Sequence, residues 1–330
     1  MGLSLGLDVG GSKTRAVVVR TETAVGPVLA DHHRPTQSGP SGVVDSILQA
    51  SDQALDQLGL DRSALDSVGV GLPGLVDPER GLVRQAANLG LVELDLAGAL
   101  SQGFSCPIRV ENDVKASALG AARLLRQTAQ LTYVNVGTGL ALATVLDGRL
   151  LRGQANGAGE IGHLSLNPGG PRCSCGQRGC LETVVGGGAV SQRLADLGLD
   201  LADLLDTTSP PARHQAARLV SGLATVVRVA ALAYDPALIV LGGGVIATAV
   251  GLTDRVRQRL ARGERRSPLL AHLGLSRRLV ELPADQPVGA LGAAEVGWAG
   301  VGRPSPSRWL DLADQIGTTG PKPDRPLVIA

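Results

Sequence analysis

Apolar residues recur along this chain at two spacings, and the places where one spacing gives way to the other predict its elements. Leu3 to Val9 alternates apolar with small or polar residues, as a strand does. Gly10-Gly11-Ser12-Lys13 reads as a turn and Thr14 to Arg20 as a second, β-branched strand, so the chain opens on a β-hairpin with an acid, Asp8, near the end of its first strand. From Val43 through Ile47, Leu48, Ala54, Leu55 and Leu58 the spacing becomes helical, with Gly59 as a stop. Val68 to Gly71 is a short strand that runs into the rigid turn Gly71-Leu72-Pro73-Gly74. Pro107 to Val110 is another strand, after which Glu111-Asn112-Asp113 opens an Ala- and Leu-rich helix from Val114 to about Arg126.

The opening motif then returns. Tyr133-Val134-Asn135-Val136-Gly137-Thr138-Gly139 echoes Gly6-Leu7-Asp8-Val9-Gly10-Gly11-Ser12, about 127 residues earlier, and an apolar strand, Leu140 to Leu146, follows it. Two such hairpins predict a duplicated α/β unit, against chance similarity of two Gly-rich turns. Ala212 to Ala233 reads as a helix, Ala237 to Leu241 as a strand, and Gly242-Gly243-Gly244 as a turn into a helix from Val245 to Leu260. Strands alternating with helices predict α/β architecture with a largely parallel sheet in each half. The tail after Trp298 is rich in Pro and Gly, with one amphipathic stretch from Trp309 to Ile316.

Composition narrows the class. The 330 residues are long for one core and suit two domains. Hydrophobic residues make up 44% and aromatics only 2%, so Leu, Val and Ala must fill the core. A formal net charge of +1 leaves no basic footprint for nucleic acid. Met1 to Asp8 lacks a basic region and meets an acid early, which predicts no signal peptide, and no apolar run is expected to reach membrane-spanning length. A soluble, cytoplasmic protein is expected, a homodimer or homotetramer with neither nucleic acid nor membrane as partner.

The densest chemistry lies in Gly157-Ala158-Gly159-Glu160-Ile161-Gly162-His163 and in Cys173-Ser174-Cys175-Gly176-Gln177-Arg178-Gly179-Cys180-Leu181-Glu182. Three thiols and one imidazole form the ligand set of a tetrahedral structural zinc site, and Glu160 and Glu182 flank it. A redox or disulfide cluster is the competing reading, disfavoured where a cytosolic chain keeps its thiols reduced. The glycine turns suit a nucleotide's phosphates, because backbone N–H groups can approach closely there, and Lys13 adds a point charge. Neither turn is a Walker loop or a dinucleotide fingerprint. Asp8 is a candidate for holding magnesium through water, or for capping its turn. Asp113, at a strand-to-helix junction, is a candidate general base; equally, Asn112 or Asp113 could simply cap the helix. Cys106 reads as a small hydrophobe, the arginines at 262, 265 and 266 as solvated surface, and His32, His33, His214 and His272 receive no role.

Taken in order, Asp8 to Lys13, Gly71 to Gly74, Asn88-Leu89, Glu111-Asn112-Asp113, Gly137-Thr138-Gly139, Gly159 to His163, the Cys173 to Glu182 cluster and Leu241 to Gly244 resemble the motifs of the ROK family of sugar kinases and repressors. The resemblance runs from the N-terminus to about residue 295. It implies two actin-like, hexokinase-type (ribonuclease H-like) α/β domains around a cleft, with a structural zinc segment. Residues 1–110, joined by a C-terminal helix at about 287–300, would form the first domain, 111–286 the second, and 301–330 a tail. Asp8, Gly10, Gly11, Ser12 and Lys13 would match the first phosphate loop, Gly137, Thr138 and Gly139 the second, and Gly242, Gly243 and Gly244 the adenosine region. Asn112 would match the sugar-binding asparagine and Asp113 the catalytic base. Glu160, His163 and Glu182 would contact sugar hydroxyls, with Gly74 and Asn88 lining the same pocket. His163, Cys173, Cys175 and Cys180 would hold the zinc.

The implied activity is phosphorylation of the 6-hydroxyl of glucose by ATP with magnesium. A kinase for N-acetylglucosamine, N-acetylmannosamine, mannose or fructose, or a non-catalytic sugar sensor, is the alternative within the family. A plain zinc-stabilised interaction module would leave the glycine turns and Asp113 unexplained. Two departures stand out. The second phosphate loop continues as Leu140-Ala141-Leu142-Ala143 rather than with glycines, which leaves the phosphoryl donor open. Gly90 follows Asn88-Leu89 where the family usually has a tryptophan, which leaves the sugar open. The family's repressors carry a DNA-binding domain before the first phosphate loop, and with Asp8 so near Met1 no such domain, and so no DNA binding, is expected.

Overall fold

The opening hairpin forms as its residues predict. Strand β1 (Leu3–Val9) pairs antiparallel with β2 (Lys13–Arg20), from Leu3 opposite Arg20 to Val9 opposite Thr14. The computed structural model describes residues 2–21, 27–126, 130–207 and 209–299; the stretch from Trp309 to Ile316 lies outside them. After β3 (Val28–Pro35) comes helix α1 (Pro40–Asp56), which buries Val43, Ile47, Ala54 and Leu55, four of the apolar positions that recur at helical spacing, and Ala50 beside them. Strand β4 (Ser67–Leu72) runs parallel to β1. Three short strands, β5 (Leu75–Asp77), β6 (Leu82–Ala86) and β7 (Leu91–Asp95), form a separate antiparallel sheet. Helix α2 (Leu96–Leu100) leads to β8 (Ile108–Asn112), which returns to the main sheet parallel to β4. The main sheet has the order β3-β2-β1-β4-β8.

Helix α3 (Asp113–Leu124) carries the chain into a second sheet, built by the same rule. Strands β9 (Gln130–Val136) and β10 (Leu140–Leu146) form its hairpin, with β11 (Arg149–Leu150) beyond. The short helices α4 (Glu182–Val185) and α5 (Gly187–Ala195) and the long α6 (Pro210–Tyr234) precede β12 (Leu238–Gly242), which lies parallel to β9. Helices α7 (Gly244–Thr248), α8 (Leu252–Glu264), α9 (Pro268–Leu273) and α10 (Leu275–Arg278) lead to β13 (Leu279–Glu281), parallel to β12. The order β11-β10-β9-β12-β13 repeats that of the first sheet, position by position. The echo between Gly6–Ser12 and Tyr133–Gly139 therefore marks a repeated unit.

The last helix, α11 (Val288–Ala299), packs on β1, β4 and α3. Apart from Glu295, which pairs with Arg123, it is apolar on every face, as a core helix is, and Gly289 to Ala294 are all buried. Its contacts are close enough to need glycine. A Cβ on Gly69 would lie 1.7 Å from the Ala293 carbonyl oxygen, and one on Gly292 would lie 1.6 Å from that of Ala116 in α3. Backbone thus packs on backbone where α3 joins the two sheets.

Three expectations are corrected. Each five-stranded sheet is mixed rather than largely parallel, because its hairpin and edge strand pair antiparallel and only the two crossover strands pair parallel. The helix expected from Val245 to Leu260 is two helices, because Gly251 takes a left-handed φ of 84° and restarts the chain as α8. Among the described residues one helix is long and apolar enough to span a membrane: α6, with 25 residues, whose most apolar 18-residue window has a mean hydropathy of 1.6. Its buried Leu219, Leu223, Val226, Val227 and Ala230 pack into the core beside the second sheet.

Candidate functional site

A cleft of about 310 Å³ opens between the two sheets. The first hairpin contributes Asp8, Lys13 and Arg15 to its walls, α3 contributes Asp113 and Ser117, and β9 contributes Tyr133 and Asn135. Gly242 to Gly244 and the segment from Glu281 to Gly289 complete it. Asp8 is half-buried at the end of β1, where the start of α11 crowds it: a Cβ on Gly289 would lie 2.5 Å from its Oδ2. Burial first, and the nearby Asp113 carboxylate second, push the Asp8 carboxyl up to about 6, while Lys13 and Arg15 pull it back in part. Burial likewise raises Asp113, with the Val114 amide opposing and the negative charge of Glu160 adding. Two acids of raised proton affinity in one cleft are a common mark of a chemical site.

Arg15 was not singled out by sequence, yet it is fixed with care. Its Nε and Nη2 donate to Asp31 at 2.9 and 2.6 Å, and Nη2 also donates to the Asp285 carbonyl at 2.8 Å. It sits directly opposite Asp8 in the hairpin, so the register of the first two strands was the signal that could have found it. Tyr133 is also new. It packs under Gly242, where a Cβ would lie 2.1 Å from the phenol oxygen, and burial raises its proton affinity.

The β8–α3 junction settles which residue caps the helix. The Asn112 side chain does so, its Oδ1 accepting from the amides of Val114 and Lys115 at 3.1 and 3.2 Å, while its Nδ2 donates to the Gly74 carbonyl at 3.4 Å. Asp113 is the first residue of the helix. Its Oδ1 accepts from the Val114 amide at 2.9 Å, and the side chain lines the cleft. Helix capping therefore does not require Asp113.

The cysteine segment closes on itself. The ligand atoms of His163, Cys173, Cys175 and Cys180 all lie within 4.8 Å of one another. His163 Nδ1 is 3.6 Å from Cys173 Sγ, and the sulfurs of Cys175 and Cys180 are 3.7 Å apart. Zinc–sulfur bonds of about 2.3 Å in a tetrahedron put neighbouring sulfurs about 3.8 Å apart, so these residues fit such an ion. Hydrogen bonds from Gln177 lower the Cys175 thiol to about 7, whereas burial and the neighbouring thiols push Cys180 up to about 12. The same segment holds the carboxylates. Glu182 Oε2 accepts from the Leu140 amide at 3.0 Å, and its Oε1 is 4.0 Å from Cys173 Sγ. Gly159 has a φ of 100°, and a Cβ there would meet the Leu142 carbonyl at 1.8 Å, so this loop lies flat on β10 before Glu160 and His163.

The remaining residues of interest fall around this frame. Gly10 and Lys13 close the first turn by a 2.9 Å hydrogen bond, and Gly11 packs on Asn88, whose backbone oxygen would be 2.8 Å from a Cβ there. Gly11, Ser12 and Asn88 are exposed. In the second turn the carbonyls of Gly137 and Thr138 accept from the amides of Gly187 and Gly188 at 2.8 and 2.9 Å, and Gly139 packs on Glu182. The cleft thus gathers Asp8, Lys13, Asp113 and Gly242 to Gly244, while the other glycines and the zinc segment lie outside its lining.

Two like sheets around an acid-lined cleft are the actin-like, hexokinase-type architecture. Residues 4–296 match the model of the ROK family, and the chain belongs to that family. A glucokinase from Streptomyces coelicolor is 33% identical over 192 residues, 58% of this chain and 58% of the relative, so the alignment spans less than two thirds of that protein. An N-acetylmannosamine kinase from Vibrio cholerae is 27% identical over 277 residues, covering 82% of this chain and 92% of the relative. The crystal structure of a ROK family glucokinase from Streptomyces griseus, in complex with glucose and AMPPNP, superposes with a TM-score of 0.71 at 27% identity, covering 91% of this chain and all of the other (100%).

Proposed function

We propose that this chain transfers the γ-phosphoryl group of ATP to the 6-hydroxyl of a hexose, glucose foremost, with Asp113 as general base. The observation that carries the reading is the β8–α3 junction: Asn112 takes the cap, and Asp113, its proton affinity raised, faces the cleft beside Asp8. A carboxylate of raised basicity suits removal of the hydroxyl proton as oxygen attacks phosphorus in line. Asn112, Glu160, His163 and Glu182 would hold the sugar, with Gly74 and Asn88 beside them. The turns Gly10 to Lys13 and Gly137 to Gly139, together with Gly242 to Gly244, would seat the nucleotide. Magnesium, when bound with ATP, would offset phosphate charge, and Asp8 would hold it through water. Zinc would be structural, since four protein ligands leave no open position, and it would fix His163 and Glu182 in place. The first sheet with α11 and the second sheet with the zinc segment would be the two domains.

One observation favours a second sugar class. Gly90, exposed and left-handed, follows Asn88 and Leu89 and leaves that wall without a bulky side chain, which would give an N-acetyl group room. A panel of hexoses and N-acetylhexosamines with ATP, read by coupled ADP detection, tests both. The highest kcat/KM is expected for glucose; a preference for an N-acetylhexosamine moves the reading to the second class, and no turnover of any sugar overturns it.

A further inference from the structure

Glu111, next to last in β8, has only 2% of its side chain exposed, and a carboxylate so buried is costly unless both oxygens are served. They are. Oε1 accepts from the Asn112 amide at 2.9 Å, and Oε2 accepts from Arg152 through Nε at 2.8 Å and Nη2 at 2.7 Å. Arg152 belongs to the loop after β11, on the edge of the other sheet. On the far side of Asp113, Lys115 is also buried, and its ammonium donates to the carbonyl of Asn156 in that same loop at 2.9 Å. Asn156 holds a left-handed φ of 56°. Between these anchors and β10 the loop is pinned twice more, by the Ala158 amide on the Arg152 carbonyl at 3.0 Å and the Leu142 amide on the Gly159 carbonyl at 2.9 Å. The next residue is Glu160, near enough for its charge to raise Asp113.

The residues two before and two after Asp113 therefore reach one short loop, and that loop delivers Glu160. We propose that Glu111 and Lys115 are positioning residues, which clamp the Arg152–Glu160 loop to the β8–α3 junction and so set the spacing between Asp113 and Glu160 before sugar binds. This rests on the hexose-kinase reading above. The sugar would then meet a preformed pair of carboxylates, and the ordering of the loop would already be complete in the free protein. Loss of a pair that only stabilised the fold would lower melting temperature without separating sugar from nucleotide.

Three variants of the full chain test this: Arg152→Met, Arg152→Lys and the double variant Glu111→Gln/Arg152→Met, which removes the uncompensated buried charge while Gln still accepts from Asn112. With the wild type's best hexose and ATP, sugar KM should rise about tenfold in both Arg152→Met variants, nonadditively, with kcat falling less than about threefold and ATP KM unchanged. Arg152→Lys should recover part of the loss. In sugar-free protein the amides of Ala158 and Glu160 should exchange hydrogen faster in Arg152→Met than in wild type. Unchanged exchange at those amides overturns the clamp whether or not any sugar is turned over. Faster exchange with sugar KM unmoved, or a parallel shift of both KM values and kcat, overturns the positioning role. A wild type that phosphorylates no hexose overturns the kinase reading instead, and with it the clamp's part in sugar binding.

Discussion

The two hairpins occupy the same place in two like sheets and carry opposite chemistry. On β1, Asp8 faces Arg15 across the ladder; at the matching place on β9, Asn135 faces Ala141. Lys13 follows the first turn, and Leu140 follows the second. Both Asp8 and Asn135 line the cleft. Burial has already raised Asp8 to about 6 with one other acid close by, and a third carboxylate at Asn135 would raise the cost further. The repeated fold thus fixes two facing positions, and the side chains divide the work. The first hairpin gathers charge, and the second sheet supplies Tyr133, Asn135 and Gly242 to Gly244, with Glu281 at the end of β13 as its one acid in the lining.

Substitutions that erase or deepen this division test it. The largest effect is expected from Asp113→Asn. Asparagine keeps the shape and the helix start but cannot take a proton, so kcat should fall roughly 10²–10⁴-fold while sugar affinity moves little. Isothermal titration beside turnover reads both, and a variant with wild-type kcat contradicts the role. Asp8→Asn makes the first hairpin resemble the second, and turnover should fall about 10²-fold through loss of the carboxylate that would hold magnesium at the phosphates.

The same variant has a stability signature. The folded Asp8 carboxyl lies at about 6, above its ordinary 3.8, so the fold favours the protonated form. That advantage is fully present below the ordinary value and lost as pH rises through about 6. Above that pH, Asp8→Asn should be more stable than wild type by about 1–2 kcal/mol, after allowance for the solvent the carboxylate still touches. Thermal melts at pH 4 and 7.5 check the sign: the variant's gain should appear only at the higher pH.

Smaller effects should come from the second half. Glu160→Gln weakens a charged acceptor worth about 1.5–3 kcal/mol, so sugar KM should rise at least about tenfold with ATP KM unchanged. Cys175→Ser should lower zinc content from about one atom per chain, together with melting temperature and, more modestly, sugar affinity, because metal binding and local folding are one equilibrium. Elemental analysis finding no zinc in fully active wild type would contradict the structural role.

What the sequence made legible was local. The hairpins announce themselves through glycine turns between β-branched runs, and the metal ligands fall within 18 residues, from His163 to Cys180. Helix α11 has no periodic stripe to find, because a helix buried on every side carries none. The β5–β7 sheet escaped because its strands are short and carry Arg84, Gln85 and Glu93 outward, where apolar alternation fades. Which residue caps α3 could not be read from Asn112-Asp113, since either caps well; only the hydrogen bonds decide. The cleft itself joins Asp8, Asp113 and Gly289, which no local pattern connects.

The central claim is that Asp113 deprotonates a hexose hydroxyl for attack on ATP. Its most direct test is ³¹P NMR of a reaction of the preferred hexose with ATP and magnesium, run side by side with wild type and Asp113→Asn. A hexose 6-phosphate ester and ADP are expected with wild type, and almost none in the same time with the variant. An ester at another position, no ester with any hexose, or equal ester from Asp113→Asn would contradict it.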